Sequence, residues 1–469
     1  MSRVDVFVIG SGPAGQKAAI QAAKGGLSVA ICERLREVGG ACVQFGTIPS
    51  KTLRERAVSR TRAMRELARS GREELDQSIS VADLIGETGA VLKAHDRYMT
   101  AQLERNGVLV VHGRARFLDP HAVEVQFANG QIERFEADHI VIASGSKPRR
   151  LPHIETDHEH IYDSDSVLSL GYLPRSMMVF GGGVIACEYA SIFALLGVEV
   201  TLIDRYPMPL GFLDADLASH FLEAFERLGG VFRGECDVRN VTFDGVSAVI
   251  ATTADGEELC ADKALCALGR VSQVADLNIE AAGLTVNDRE LIDVDDSGRT
   301  AVAHIYAAGD VVGPPSLASA SMEQGRRAAC ALLGIDPGDQ GDFLPSGIYS
   351  VPELASVGLT EAQARERFGD AVIGKAHYRE IARGLIADSA SGLLKLIAAP
   401  DGKLVGVHIV GAAATDLIHI GQMALIHGAP HTVFIENVFN FPTYAESYRV
   451  AALDLAAALR EGGQGRTAA

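Results

Sequence analysis

The chain has 469 residues, 47% hydrophobic and 22% charged, with a formal net charge of −17. That length exceeds one ordinary core of about 50–250 residues, so two to four domains are expected. The acidic balance argues against a nucleic-acid or anionic-membrane partner, since both need a positive surface; its bland reading is solubility. No apolar run approaches the ~18–20 residues of a membrane span, and Met1-Ser2-Arg3-Val4-Asp5 leads into a strand pattern rather than a signal peptide. Seven scattered cysteines (32, 42, 187, 236, 260, 266 and 330) give an odd count and no disulfide framework, which fits a reducing, cytoplasmic setting. The fourteen histidines are dispersed and no Cys/His cluster has zinc spacing, so no metal site is expected.

In chain order, Val4–Ile9 reads as a buried strand. Gly10-Ser11-Gly12-Pro13-Ala14-Gly15 follows, then a helical stretch Gln16–Lys24 and a strand Leu27–Cys32 ending at Glu33. Next comes a strip from Gly39-Gly40 through Cys42 and Thr47 to Lys51, and then Thr52–Gly107, helical in pattern and rich in Arg, Glu and Ala. Gly113-Arg114-Ala115-Arg116-Phe117 opens a strand-rich stretch, and His139–Ile142 is a strand ending in the small residues Ala143, Ser144 and Gly145.

The first unit then recurs: strand Met177–Phe180, the turn Gly181-Gly182-Gly183-Val184-Ile185-Ala186, a helix through Leu195, and a strand Glu199–Ile203 ending at Asp204. From first glycine to terminal acid the spacing is 33 − 10 = 23 in one copy and 204 − 181 = 23 in the other. The first glycine makes the tight turn, the second lets a pyrophosphate approach the backbone, and the small third residue lets helix and strand pack. The helix N-terminus supplies amide donors and a positive dipole to the phosphates, and the acid accepts from ribose hydroxyls. One such turn without a ligand is unremarkable, but two complete units of equal span imply two dinucleotides. Ala264–Leu268 with Gly269 and Arg270 repeats the strand with a small-residue end, and Ile305–Asp310 is a third version. From about Phe343 the pattern changes to strands at Leu393–Ile397 and Leu404–Val410 followed by helices, a separate C-terminal domain, and the tail Glu461–Gly465 is expected to be disordered.

This order of parts, closed by Phe441-Pro442-Thr443-Tyr444-Ala445-Glu446, resembles the flavoprotein disulfide reductases (the pyridine nucleotide-disulfide oxidoreductase family) over nearly the whole chain. The fold it implies is α/β, with two Rossmann-like dinucleotide-binding domains and a C-terminal α+β dimerisation domain. The corresponding ranges are residues 1–150 with 275–342, residues 151–274, and residues 343–469. The resemblance implies FAD at the unit of Gly10, Gly12 and Gly15, and NAD(H) or NADP(H) at the unit of Gly181, Gly183 and Ala186, with Gly269 and Arg270 beside it. It places Glu33 on the adenosine ribose, Asp310 on the ribitol, Gly113 to Ala115 beside the adenine, and the backbone near Leu317 and Ala318 at the flavin O2 edge. Gly40, Thr47 and Ala143-Ser144-Gly145 fall at the flavin as well, and Lys51 lies near flavin N5, paired with Glu188. A homodimer or higher homo-oligomer is expected, because the interface domain of this family completes the partner's site.

Two positions depart from that family. Its members carry Cys-x4-Cys in the strip; here Cys42 remains and Thr47 takes the second place, where neither a disulfide nor a thiolate can form. The family's His-Pro-x-x-x-Glu has Phe441 in the histidine place, with Pro442 and Glu446 kept, and phenylalanine cannot shuttle a proton. The same strip resembles the family's pyridine nucleotide transhydrogenase subgroup, which reads Cys-x4-Thr-Ile-Pro-Ser-Lys. That likeness implies hydride transfer between NADPH and NAD+ through the flavin, ping-pong and without a redox disulfide, with Lys51, Glu188, Thr47 and Cys42 around the reacting centre. Asp204 suits the 2′-hydroxyl of NAD, and Arg205 can pair a 2′-phosphate or simply point to solvent. Cys42 is either a redox thiol or a small buried residue, Thr47 either a hydrogen-bonding group or a spacer, and Glu446 an interface residue. His427 and His431 read as surface or packing residues. The competing functions are an NAD(P)H:quinone or acceptor oxidoreductase and a low-turnover flavin redox sensor.

Overall fold

The computed structural model describes residues 2–70, 81–339 and 341–466. The chain forms two compact units: Met1–Arg56 with Glu74–Leu173 and Leu268–Asp339, and Ala57–Glu73 with Pro174–Ala267 and Gln340–Ala469.

The elements of the N-terminal third are β1 (Ser2–Ile9), α1 (Pro13–Lys24), β2 (Val29–Glu33), α2 (Gly40–Gln44), α3 (Thr47–Arg69), α4 (Val81–Arg105), β3 (Leu109–His112), β4 (Arg114–Asp119), β5 (Ala122–Gln126) and β6 (Ile132–Ile142). In the first unit β3, β2, β1 and β6 lie side by side in parallel, and the strand Ile305–Ala307 adds to β6. β6 joins the parallel and antiparallel parts of one seven-stranded sheet. Its start pairs antiparallel with β5, which pairs with β4, and its end pairs with β1. Val6, Phe7, Val8 and Ile9 are all buried, as a parallel strand covered on both faces requires. The helix starts earlier than its apolar period indicates: Pro13 stands at its first turn, where a missing N–H costs nothing.

In the second unit β7 (Ser176–Phe180), α5 (Val184–Leu195) and β8 (Glu199–Ile203) repeat the strand–turn–helix–strand path. Val231–Arg233 pairs parallel with β8, and Lys263–Cys266 pairs parallel with β7. The C-terminal part is an antiparallel sheet in the order Ser346–Ile348, Leu354–Gly358, Leu404–Val410, Leu393–Ala398 and Val372–His377. The helices Ala414–Ile426 and Glu446–Arg466 share one apolar core with it. Two Rossmann-like sheets and a C-terminal α+β domain are therefore present. The three strands of that domain absent from the sequence reading are short or interrupted by glycine, which blunts their periodicity. The tail expected to be disordered is helical through Arg466: the alanine-rich run before it carries the helix across Gly462 and Gly463, despite a helix cost of about 1 kcal/mol for each glycine. The ten residues between Ser70 and Val81, inside the stretch read as helical, lie outside the described residues.

A buried cation ties this unit internally. Lys395, with a side chain 2% exposed, donates to Asp214 at 2.8 Å, to Asp216 at 2.7 Å and pairs with Glu361 at 2.7 Å. Asp214 also caps α6 (Ala215–Arg227) and accepts from the Glu361 backbone N–H. Burial would raise the Asp216 carboxyl, but hydrogen bonds from Lys375 and Lys395 outweigh it and hold the group at about 2. Lys395→Met leaves these carboxylates with no central cation and should cost about 3–5 kcal/mol, read by urea unfolding at pH 7; a loss under about 1 kcal/mol contradicts the clamp. Because the folded-state value of Asp216 is depressed, its contribution is present above the unfolded carboxylate range and fades as pH falls from about 4 toward 2.

Candidate functional site

The first glycine turn is set by backbone contact. Gly10 has φ +101°, and a Cβ there would stand 2.3 Å from the Ala143 carbonyl oxygen. A Cβ on Gly15 would stand 1.9 Å from the Gly10 carbonyl oxygen. Gly12 has open space where its Cβ would project, and Gly40 faces its Cα closely. Glu33, 4% exposed at the end of β2, accepts from the Ser11 hydroxyl at 2.6 Å, the Ser11 amide at 3.1 Å and the Leu35 amide at 2.9 Å. Ser11 in turn accepts from the Gly39 amide at 2.9 Å. The Gly113 amide donates to the Glu33 carbonyl at 2.8 Å, which seats Gly113 and the buried Ala115 beside the acid. Among the described residues two buried polar atoms here have no partner, the amide nitrogen of Gln16 and the hydroxyl of Ser144. Open space at Gly12 and unspent donors at Gln16 and Ser144 fit a dinucleotide that brings its own acceptors.

Cys42 lies in α2, and Thr47 opens α3. Burial pushes the Cys42 thiol up, with Asp310 adding to the rise; its hydrogen bond with Thr47 and the charge of Lys51 pull the other way without cancelling it. The thiol is thus held neutral near pH 7, with a hydroxyl where a second sulfur would stand. Asp310 accepts from the Ser146 hydroxyl at 2.6 Å. Arg270 supports that contact. Its Nε donates to Ser146 Oγ at 2.9 Å, and its other nitrogens reach the Ser146 carbonyl, Ser164 and, at 2.7 Å, Asp165. Gly145, with φ +71°, and Gly269, with φ +102°, shape the two loop ends beside it. Leu317 is extended and enters the helix Ala318–Leu333 without a side-chain cap.

In the second unit Gly181, with φ +110°, donates its amide to Ile203, and Gly183 has open space where a Cβ would project. Ala186 is fully buried in α5. Asp204 faces Gly182, whose Cβ would stand 2.1 Å from Oδ2. Arg205 is exposed, donates to the Tyr206 hydroxyl at 2.9 Å, and lies over that ring at 4.9 Å. Glu188 is 4% exposed, and its Oε1 accepts from the Tyr349 amide at 2.8 Å, so part of its carboxylate serves the fold of its own unit. Phe441 is 72% exposed, and Glu446 has a buried Oε2 without a partner among the described residues. His431 packs against the Gly402 carbonyl and His427 is exposed. Ser11, Gln16, Ser146 and Tyr206 were missed by sequence reasoning; only Tyr206, next to Arg205 past an acid-ending strand, carried a readable signal. No group of metal-ligating side chains occurs among the described residues, and no described helix is long and apolar enough to cross a membrane.

Comparison with known proteins gives consistent relatives. The family model "Pyridine nucleotide-disulphide oxidoreductase" matches residues 4–325, and that family's dimerisation-domain model matches residues 344–452. A protein of Mycobacterium tuberculosis named soluble pyridine nucleotide transhydrogenase is 42% identical, over 97% of this chain and 97% of its own. One of the same name from Colwellia psychrerythraea is 38% identical over 96% and 97%. Among solved structures, LpdA of Mycobacterium tuberculosis superposes with a TM-score of 0.87 at 28% identity, covering 97% of this chain and 100% of that one. The flavoprotein disulfide reductase RclA of Escherichia coli gives 0.86 at 26% identity, covering 96% and 99%.

The two glycines predict separable phenotypes. Gly12→Ala should fold within about 1 kcal/mol of the parent yet lose most of its bound flavin, measured by absorbance after desalting. Gly15→Ala should cost about 3 kcal/mol or more through overpacking. Equal flavin content in Gly12→Ala and the parent contradicts this reading of the turn.

Proposed function

The chain belongs to the pyridine nucleotide-disulphide oxidoreductase family, and from that premise we propose that it transfers hydride between NADPH and NAD+ as a flavin-dependent transhydrogenase. Enzymes of this family are flavin-dependent and use pyridine nucleotides. The names of the 38–42% identical relatives support the reading, but the observation that carries it is Thr47 at the start of α3, a hydroxyl in the place of the second sulfur that would pair with Cys42 of α2. A disulfide acceptor has no second sulfur to pass through, and Phe441 offers no proton relay. When bound, the flavin supplies a two-electron relay between nucleotides.

FAD is the cofactor proposed for the first unit. Gly12 admits its pyrophosphate, the Glu33 carboxylate accepts from its adenosine ribose, and Asp310, held by Ser146 and Arg270, accepts from its ribitol. Lys51 is proposed beside the ring with Glu188 as its counter-ion, where a cation favours the reduced, negatively charged cofactor. The neutral Cys42 thiol with its Thr47 partner fills the face where a redox pair would act and excludes water from it. At the second unit Gly183 admits a nicotinamide nucleotide, Asp204 accepts from a ribose 2′-hydroxyl, and Arg205 on its Tyr206 support pairs a 2′-phosphate. One such site serves both nucleotides in turn, which implies ping-pong kinetics. The assembly is a homodimer built on the C-terminal domain, acting in the cytoplasm.

Steady-state rates with NADPH and an NAD+ analogue should give parallel double-reciprocal lines, and dihydrolipoamide should not be oxidised. Turnover with a quinone alone identifies an acceptor oxidoreductase, and slow reaction with every acceptor identifies a redox sensor; either overturns the proposal. Arg205→Ala should lower kcat/KM for NADPH roughly 10–100-fold, the loss of one charge-assisted hydrogen bond, and leave NADH within about 2-fold. Asp204→Ala should impair NADH instead. Unchanged NADPH use in Arg205→Ala removes the phosphate role.

A further inference from the structure

We propose that a basic groove between three helices of the first unit, lined by no residue of either glycine turn, binds a small oligophosphate. The groove has a volume of about 460 Å³, within the range of about 300–1,000 Å³ typical of small-molecule sites. Three helices build it. α1 contributes Lys17, Gln21 and Lys24, the i, i+4 and i+7 positions of one face. The end of α4 contributes Arg105, and the helix Ala318–Leu333 contributes Met322 and Arg326.

The charge is unbalanced. Arg326 is held by Glu323 through two bonds, at 2.8 and 2.6 Å, and by the Pro337 carbonyl at 2.7 Å. That pair neutralises itself and fixes one wall. Glu323 is the one acid lining the groove, so Lys17, Lys24 and Arg105 remain as three uncompensated cations. The side chains of Lys17 and Lys24 make no hydrogen bond or ion pair among the described residues, and the Arg105 side chain spends only Nε, on the Ala101 carbonyl. On a chain of net charge −17, with 60 acidic side chains against 43 basic ones, three uncompensated cations lining one concavity call for an anion of high charge density. The small volume of the groove selects a small molecule over a nucleic acid, whose backbone needs an extended positive surface.

Titration calorimetry of the flavin-loaded protein with inorganic pyrophosphate tests the site. Saturating NAD+ is kept present so that the nucleotide turn is filled. The expected result is saturable binding of one pyrophosphate per chain, weakened about 10-fold or more in Lys17→Gln/Lys24→Gln/Arg105→Gln by loss of charge-assisted bonds. Lys24→Glu, at an exposed position, gives the same readout should the triple variant fold poorly. No saturable binding with NAD+ present, unchanged affinity in both variants, or equally tight binding of citrate at matched ionic strength overturns the assignment.

Discussion

Backbone crowding around Gly10 decides the rest of the first site. The Ala143 carbonyl occupies the place of a side chain at Gly10, and the Gly10 carbonyl occupies the place of one at Gly15. α1 can therefore lie against β1 and β6 only with glycine at both positions. That closeness brings the first amides of α1 to the end of the parallel strands, where phosphates find donors and a positive dipole. The same packing continues on the far side of α1, where a Cβ on Gly325 would stand 2.0 Å from the Ala14 carbonyl. Ser11 then bridges Glu33 to Gly39, so the acid, the turn and the strip bearing Cys42 are fixed as one piece.

On that frame the chemistry turns on one hydroxyl. A sulfur at position 47 would allow a covalent pair with Cys42, whereas threonine sets a hydroxyl near a thiol that burial keeps protonated. Asp310 depends on its own supports, Ser146 and behind it Arg270, whose remaining nitrogens are anchored on Ser164 and Asp165. The proposed transhydrogenase thus differs from a disulfide reductase by removal of an outlet for electrons, with the dinucleotide architecture retained.

Much of this was legible in the sequence because glycine turns, terminal acids and parallel strands leave local marks. Gly10 to Glu33 and Gly181 to Asp204 fold as their equal spacing indicated, and β8 has the predicted bounds. The supporting contacts were not legible, because they join residues far apart in the chain. Ser146 meets Asp310 across 164 positions, and Lys395 meets Asp214 across 181. Arg270 likewise meets Ser164 and Asp165 across 106 and 105 positions, contacts that its place beside Gly269 gave no sign of. Strands such as Ser346–Ile348 are too short to show a period, and the glycines near residue 462 masked a helix.

The central claim is that no second redox pair accompanies the flavin. Anaerobic titration of the flavin-loaded protein with NADPH, followed by visible absorbance, tests it most directly. The account predicts uptake of no more than one electron pair per flavin as NADPH is added, and return of the flavin colour on adding NAD+ in large excess. Uptake of two NADPH per flavin contradicts it, because the extra electron pair would need a disulfide that Thr47 does not permit.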